Sequence, residues 1–503
     1  MAPTDLAVDA PSLNKRSAPA GTAASPHRWW ILAVVAVAQL MVTLDATIVN
    51  IALPSAQADL GFSDGDRTWI VTAYSLAFGS LLLLGGRIAD LFGRKLAFLT
   101  GVGGFAAASA LAGAATSFEM LVFGRALQGV FGALLAPAAL SLLTTTFTDA
   151  KERAKAFGIY GAVAGSGAAV GLLLGGVLTE YLDWRWTLYV NVLFAALALT
   201  GGWLLLKRGT RESGAKLDIP GTLLVTGGLF AVVYGFSNAE SHGWGSGLSW
   251  GFLAAGAVLL AVFAWWQTRS SHPLLPLRVL LDRNRGASFA VMLIISAGMF
   301  GVFLFLTYYL QLSLGFSAVR TGLAFLPMVL SLMTAATLAT SLLLPRIGPR
   351  TVVGLGMGLG AVGMAWLTRL DLTSTYAGDV LPALVVAGLG IGLVMAPAMS
   401  LATSGVGADD AGVASASVNT MQQIGGSIGT ALLNTLAASA ATAYLTGRDA
   451  TDPAVQAQAA LDSYATAYWW SAGFFAVGAL LALLLYRRGV PSTDGDTAPT
   501  VHM

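Results

Sequence analysis

Two charged residues of this 503-residue chain lie well inside long apolar runs: Asp45, within 29–53, and Arg125, within 119–142. Charge in hydrocarbon is costly and marks function by default. At 1.5 Å per helical residue, Asp45 stands about 12 Å before Leu53 and Arg125 about 10 Å below the start of its own run. Successive helices run in opposite directions, so the two share a depth in the outer half. They either pair or both face one water-filled cavity. Arginine keeps its proton, which leaves Asp45 as the group able to take one up and release it. The plainer reading of the same residues is a structural ion pair that locks two helices together.

No other constellation competes for chemistry. The chain has no cysteine, so disulfides, thiol reactions and cysteine-bound metals are excluded. The four histidines, His27, His242, His272 and His502, fall in tails or connections without ligand spacing. No metal, no cofactor and no catalytic cluster is expected, which argues against an enzyme.

The elements that must position Asp45 and Arg125 follow from composition. The chain is 56% hydrophobic and 10% charged, where a soluble domain carries about 25% charge. Its apolar runs are continuous, whereas barrel strands alternate over about 10 residues, so the expected fold is all-α and polytopic. Fourteen spans fall near 29–53, 68–88, 96–116, 119–142, 156–179, 187–206, 219–238, 250–267, 287–312, 321–344, 351–369, 380–402, 413–437 and 465–486. The mildly amphipathic stretch 438–464 reads as an external loop. Residues 1–28, rich in Ala, Pro and Ser, read as a disordered tail, and the run after them is too long for a cleaved signal.

Orientation follows from where positive charge stays. Of 27 Lys and Arg, only Arg67, Arg185, Arg320, Arg369 and Arg448 fall on the side opposite the tails, with Arg125 inside a span. Both termini are therefore expected in the cytoplasm. A faint internal echo suggests two homologous halves. Leu91-Phe92-Gly93-Arg94-Lys95 follows the second span, Arg346-Ile347-Gly348-Pro349-Arg350 follows the tenth, and spans 156–179 and 413–437 are both glycine-rich. Paired repeats of this kind place a substrate site between two rocking bundles.

Several motifs then resemble the major facilitator superfamily, and within it the fourteen-helix drug:proton antiporters, over essentially the whole chain. Leu44-Asp45-Ala46-Thr47-Ile48-Val49-Asn50-Ile51-Ala52-Leu53-Pro54 is similar to that family's first-helix signature. Gly86-Arg87-Ile88-Ala89-Asp90-Leu91-Phe92-Gly93-Arg94-Lys95 resembles the superfamily's conformational latch, with Leu91 where an arginine is usual. A carboxylate such as Asp90 at a helix end can hold a helix N-terminus in one state and release it in the other. Leu121-Val122-Phe123-Gly124-Arg125-Ala126-Leu127-Gln128-Gly129 is similar to the motif whose arginine the family uses in proton coupling. Gly158, Gly161, Gly165, Gly167, Gly171, Gly175 and Gly176 resemble the antiporter motif, with Leu172 where the family usually has proline. Glycines at such spacing let another helix approach closely. Trp184-Arg185-Trp186 before Asn191, Asp218-Ile219-Pro220-Gly221, His272-Pro273-Leu274-Leu275-Pro276-Leu277, Tyr309-Leu310-Gln311 and Gly412-Val413-Ala414-Ser415 leading to Gln423-Ile424-Gly425-Gly426 resemble the fourteen-helix branch.

The resemblance implies a major facilitator fold of two six-helix bundles, 29–207 and 271–488, with two extra central helices in 208–270 and a second tail at 489–503. It implies Asp45 and Arg125 as the proton-coupling pair. Gly86, Asp90, Gly93, Arg94 and Lys95 would form the latch, and Gly165, Gly167, Gly171, Gly175 and Gly176 the antiporter helix. Asn50, Tyr74, Gln128, Tyr308, Gln311, Asn419 and Gln422 would line a pocket for an amphiphile. The expected activity is proton-driven drug efflux across the bacterial plasma membrane, by a self-resistance exporter of an antibiotic producer or a broader multidrug pump. The partners are a small-molecule drug, protons and the lipid bilayer, with no nucleic acid and a monomeric chain. The alternative is a proton-coupled exporter or importer of another small metabolite, which the glycine-rich span 156–179 disfavours on the import side.

Overall fold

A computed structural model describes residues 26–62, 64–207, 218–271, 273–407, 410–449 and 451–489. The tails expected at 1–28 and 489–503 lie almost wholly outside these residues, as do His272 and the expected boundary after residue 207. Among the described residues the chain is helical and has no strand. The helices are α1 (Arg28–Leu60), α2 (Asp64–Phe92), α3 (Arg94–Gly113), α4 (Phe118–Thr146), α5 (Ala150–Tyr181), α6 (Trp186–Leu205), α7 (Ile219–His242) and α8 (Gly247–Gln267). They continue with α9 (Leu277–Leu281), α10 (Arg283–Tyr308), α11 (Ala318–Leu338), α12 (Leu344–Leu367), α13 (Leu381–Thr403), α14 (Ala411–Leu445) and α15 (Pro453–Leu485). All except the short α9 are long enough to cross a bilayer or nearly so.

By length and hydropathy, 12 stretches qualify as membrane spans. One of them, Val319–Leu367, runs through both α11 and α12, and its course is kinked within the first turns of α12 at Gly348, a glycine with φ 74°. Helix α5 is a further helix of 32 residues. The fourteen long helices match the fourteen expected spans in order. Their ends are set locally, with Asp149, Asp218, Asp282, Ser317 and Asp452 each accepting hydrogen bonds from backbone N–H groups of the first turn.

One expectation is corrected. Most of 438–464 is not a loop: α14 continues to Leu445 and α15 begins at Pro453. Residues 437–445 are alanine-rich, and alanine favours helix without adding much hydropathy. The Asp452 cap with Pro453 in the first turn then starts the last helix early. Neither signal adds to an apolar run.

The faint echo in the sequence becomes plain in the packing. In the first bundle, α2 packs on α4, α3 on α4, α1 on α5, and α6 on both α1 and α3. In the second, α11 packs on α13, α12 on α13, α10 on α14, and α15 on both α10 and α12. Each pair is its counterpart shifted by nine elements. The bundles meet where α2 packs on α14, and again at the equivalent crossing of α11 with α5. Helices α7 and α8 form a pair of their own, and α7 rests on α2 and α14.

Without a hydrophobic effect between helices in lipid, close backbone approach supplies the packing. In α14, the glycine at 425 lies so close to α10 that a Cβ there would overlap the Leu293 carbonyl, while its neighbour Gly426 faces open space. Gly425→Ala should therefore lower thermal stability in detergent by about 1–3 kcal/mol through overpacking, and Gly426→Ala should leave it unchanged or raise it by up to about 1 kcal/mol. Equal melting temperatures for the two variants would contradict this seam.

Candidate functional site

The two intramembrane charges are paired. Arg125 Nη1 of α4 donates to Asp45 Oδ2 of α1 at 2.6 Å, and both residues are sealed from solvent. A pair taken out of water needs its remaining donors and acceptors filled, and three residues bond to it directly with a fourth behind them. Gln128, one turn after Arg125 and so on the same helix face, accepts from Arg125 Nη1 at 2.8 Å and donates from Nε2 to Asp45 Oδ1 at 2.9 Å. Asn191 Nδ2 of α6 donates to the same Oδ1 at 2.7 Å. Ser109 of α3 accepts from Gln128 at 2.6 Å and from Asn191 at 3.3 Å. Arg125 Nε donates to the Ile70 carbonyl of α2 at 3.3 Å, and the Tyr74 ring lies 4.5 Å under the guanidinium, stacked on Phe78. Five of the first six helices thus contribute to one buried polar knot.

Of the alternatives open from sequence, the structure takes the pair over two charges facing a common cavity. It also moves Tyr74 and Gln128 from a pocket wall to the knot itself. Ser109 was missed by sequence reasoning, and Asn191 was noticed only as part of a motif. Uncharged polar residues are common in such helices and carry no signal of their own. The i, i+3 spacing of Arg125 and Gln128 was the legible hint.

Along its opposite flank α1 meets the glycines of α5. A Cβ on Gly167 or Gly171 would overlap Thr43 or Thr47, and one on Gly175 would press on Ile48. Gly176 is also buried. The surroundings of Gly165, Leu172 and the Asn50 side chain lie outside what is described. A second polar link joins these helices lower down, where Tyr160 OH donates to Gln39 Oε1 at 2.6 Å.

The segment around Asp90 joins the bundles. Asp90 ends α2 with its carboxylate buried, accepting from Gly412 N–H at 3.0 Å and Val413 N–H at 3.2 Å in the first turn of α14. That helix lacks a side-chain cap of its own, because Asp410 turns its carboxylate to Arg278 at 2.7 Å instead. Gly86 lets the crossing close, since a Cβ there would meet Ala416 and the Gly412 carbonyl. Gly93, at φ 96°, turns the chain into α3. Arg94 stands 3.6 Å from Asp90 and donates to Ser141 at 2.6 Å, while Lys95 donates to the carbonyls of Trp203 and Leu206 at the end of α6. Leu91 is buried. At the equivalent crossing of α11 and α5, helix α5 carries its own cap, Asp149.

The remaining pocket residues lie on the second bundle. Tyr308 ends α10 and is 42% exposed, and Gln311 sits in a π-helical turn, Tyr309–Ser313. Asn419 and Gln422 lie on α14, with the Asn419 amide donating back to the Ser415 carbonyl. At the far end of the first bundle, hydrogen bonds from Trp184 and Arg185 hold the Asp59 carboxyl below its ordinary range.

The fold is that of a polytopic membrane protein of two repeated six-helix bundles, with a buried ion pair inside the first. The Major Facilitator Superfamily profile matches residues 35–430, and the chain belongs to that superfamily. It is 52% identical over 478 residues to the puromycin resistance protein pur8 of Streptomyces alboniger, spanning 95% of each chain. It is 38% identical over 415 residues to the cephamycin export protein CmcT of Amycolatopsis lactamdurans, covering 81% of this chain and 85% of that one. In fold it is similar to the human organic anion transporter MFSD10 (TETRAN), with a TM-score of 0.60 over 91% of this chain and 100% of that one, at 15% identity.

Two outcomes follow from the geometry. Arg125→Lys keeps the charge but cannot reach Asp45, Gln128 and the Ile70 carbonyl at once, so it should lower thermal stability in detergent by about 1–3 kcal/mol. A wild-type melting curve would show that only the charge matters. Asp90→Asn presents an N–H to donors and should loosen the α2–α14 crossing. The cysteine-free chain allows spin labels at Phe92→Cys and Gly407→Cys, whose separation should lengthen and broaden in Asp90→Asn; an unchanged distance distribution would count against the clasp.

Proposed function

We propose that the protein expels an amphiphilic antibiotic across the bacterial plasma membrane in exchange for protons, acting as a monomer with both termini in the cytoplasm. The observation that carries this reading is the sealed Asp45–Arg125 pair. The near full-length similarity to a puromycin resistance protein and the similarity to a cephamycin export protein support the drug as cargo and self-resistance as the setting.

The chemistry is a matter of charge balance. With Asp45 ionised, Arg125 is neutralised and the knot is closed. Protonation of Asp45 would leave the guanidinium buried without a counter-charge, which costs several kcal/mol. That imbalance can drive the bundles to rearrange. With both tails cytoplasmic, as the distribution of Lys and Arg supports, the Asp90 clasp on α14 is the cytoplasmic latch. A proton driving force of about 150 mV amounts to about 3.5 kcal/mol, enough for a drug gradient of about a few hundred-fold at about 1.4 kcal/mol per decade.

Asp45→Asn keeps the shape of the side chain and cannot titrate, so it should abolish uphill export in vesicles with an imposed pH gradient while the protein still reaches the membrane. Persistent uphill efflux by this variant would remove Asp45 from the coupling. A susceptibility panel of sensitive cells, with and without the protein and with puromycin among the drugs, identifies the cargo. Protection against no drug in the panel would favour the metabolite alternative.

A further inference from the structure

The groups around Asp45 are unequal in what they can do once a proton arrives. An ionised carboxylate accepts hydrogen bonds only, whereas its acid form must also donate one. Arg125 has donors and no acceptor. The acceptor of Gln128, Oε1, is already taken by Arg125 Nη1 at 2.8 Å. Asn191 differs: its Nδ2 donates to Asp45 Oδ1, while its own Oδ1 is buried and without a hydrogen-bond partner among the described residues. A buried amide oxygen left idle is expensive. Here it lies on the same side chain that already touches the carboxylate.

We propose that Asn191 is a switching partner for the Asp45 proton. This inference rests on the proton-coupling reading given above. An amide has nearly the same shape when turned by half a turn about its last bond. In the ionised state, Asn191 Nδ2–H donates to Asp45 Oδ1. When a proton binds at Asp45 Oδ1, the amide turns over and Asn191 Oδ1 accepts the new O–H, while Nδ2 leaves its acceptors for the position the oxygen held, a cost that adds to the imbalance of the protonated state. The hydroxyl of Ser109, which accepts from Asn191 Nδ2 in the first state, is free to rotate and donate to Asn191 Oδ1 in the second. The turn pairs the new O–H but gives Arg125 no counter-charge, so the charge imbalance that drives the rearrangement remains.

Among the described residues, no other titrating group in the immediate surroundings competes for this role. Helix α4 presents Arg125 and α2 presents Tyr74, whose ring face is turned to the guanidinium. Helices α3 and α6 supply Ser109 and Asn191, and α5 presents Gly167 and Gly171 to the neighbouring turns of α1. Asn191 is a positioning residue in this scheme, acting on drug transport only through Asp45.

Infrared difference spectra of the full-length protein in lipid, recorded on a pH step with and without isotope-labelled asparagine, test the proposal. Acidification should raise the C=O band of a protonated carboxyl that is absent in Asp45→Asn. A side-chain amide band that moves with the asparagine label should accompany it. In Asn191→Leu the amide band should vanish and the carboxyl band should move to higher frequency, as for an acid that has lost its acceptor. Coupled export by that variant should fall about tenfold, the equivalent of one hydrogen bond missing from the protonated state, with partial recovery in Asn191→Gln. If the wild type shows no carboxyl band that depends on Asp45, the proton-coupling reading fails and the switch fails with it. If the Asp45 band is present but no asparagine band accompanies it, or Asn191→Leu leaves it in place, the switch alone is overturned.

Discussion

A carboxylate and a guanidinium cannot stay inside a membrane protein unless each finds the other and all remaining polar atoms find partners, because hydrocarbon offers no water as a substitute. Much of the first bundle is arranged to meet that demand. Helix α4 brings Arg125 and Gln128 on one face, α1 brings Asp45, and α2, α3 and α6 close around them with a carbonyl, a hydroxyl and an amide. The glycines of α5 allow α1 to be pressed from behind. On the proposed coupling, the knot that stabilises the bundle is also the element a proton would upset, so stability and mechanism would draw on a single set of contacts.

The second bundle repeats the frame without repeating the charge. Its helices pack in the same order as those of the first, yet among the described residues the polar groups buried within them are tyrosines, amides and hydroxyls, such as Tyr309, whose OH donates to the Asp371 carbonyl, and Asn419, which bonds back to its own helix. On the proposed reading, a cargo held between the bundles would meet a charged pair from the first and mostly shape and polarity from the second.

How much of this could be read from the sequence depended on how rare each signal was. Asp45 and Arg125 stood out because so few charges interrupt the apolar runs, and the helix order followed from those runs. Asn191 and Ser109 did not stand out as partners, since a polar uncharged residue in such a helix is ordinary and only its neighbours reveal what it does. Tyr74 and Gln128 are legible as polar residues able to line a pocket, but sequence does not say which of them a buried charge will recruit. The long ends of α14 and α15 escaped notice for a different reason: alanine and a capped proline build helix without building hydropathy.

The first turn of α14 is completed by a residue more than three hundred positions away in the sequence, since Gly412 and Val413 find their acceptors on Asp90 rather than on Asp410. A helix end closed in this way belongs to both halves of the molecule. Were the halves to part at this crossing, the turn would lose its cap and its amides would meet water, so part of the work of opening would lie in uncapping a helix rather than in separating surfaces. Hydrogen exchange at these two amides would then be gated by separation of the bundles, and two backbone protons would keep a record of how often the resting protein opens.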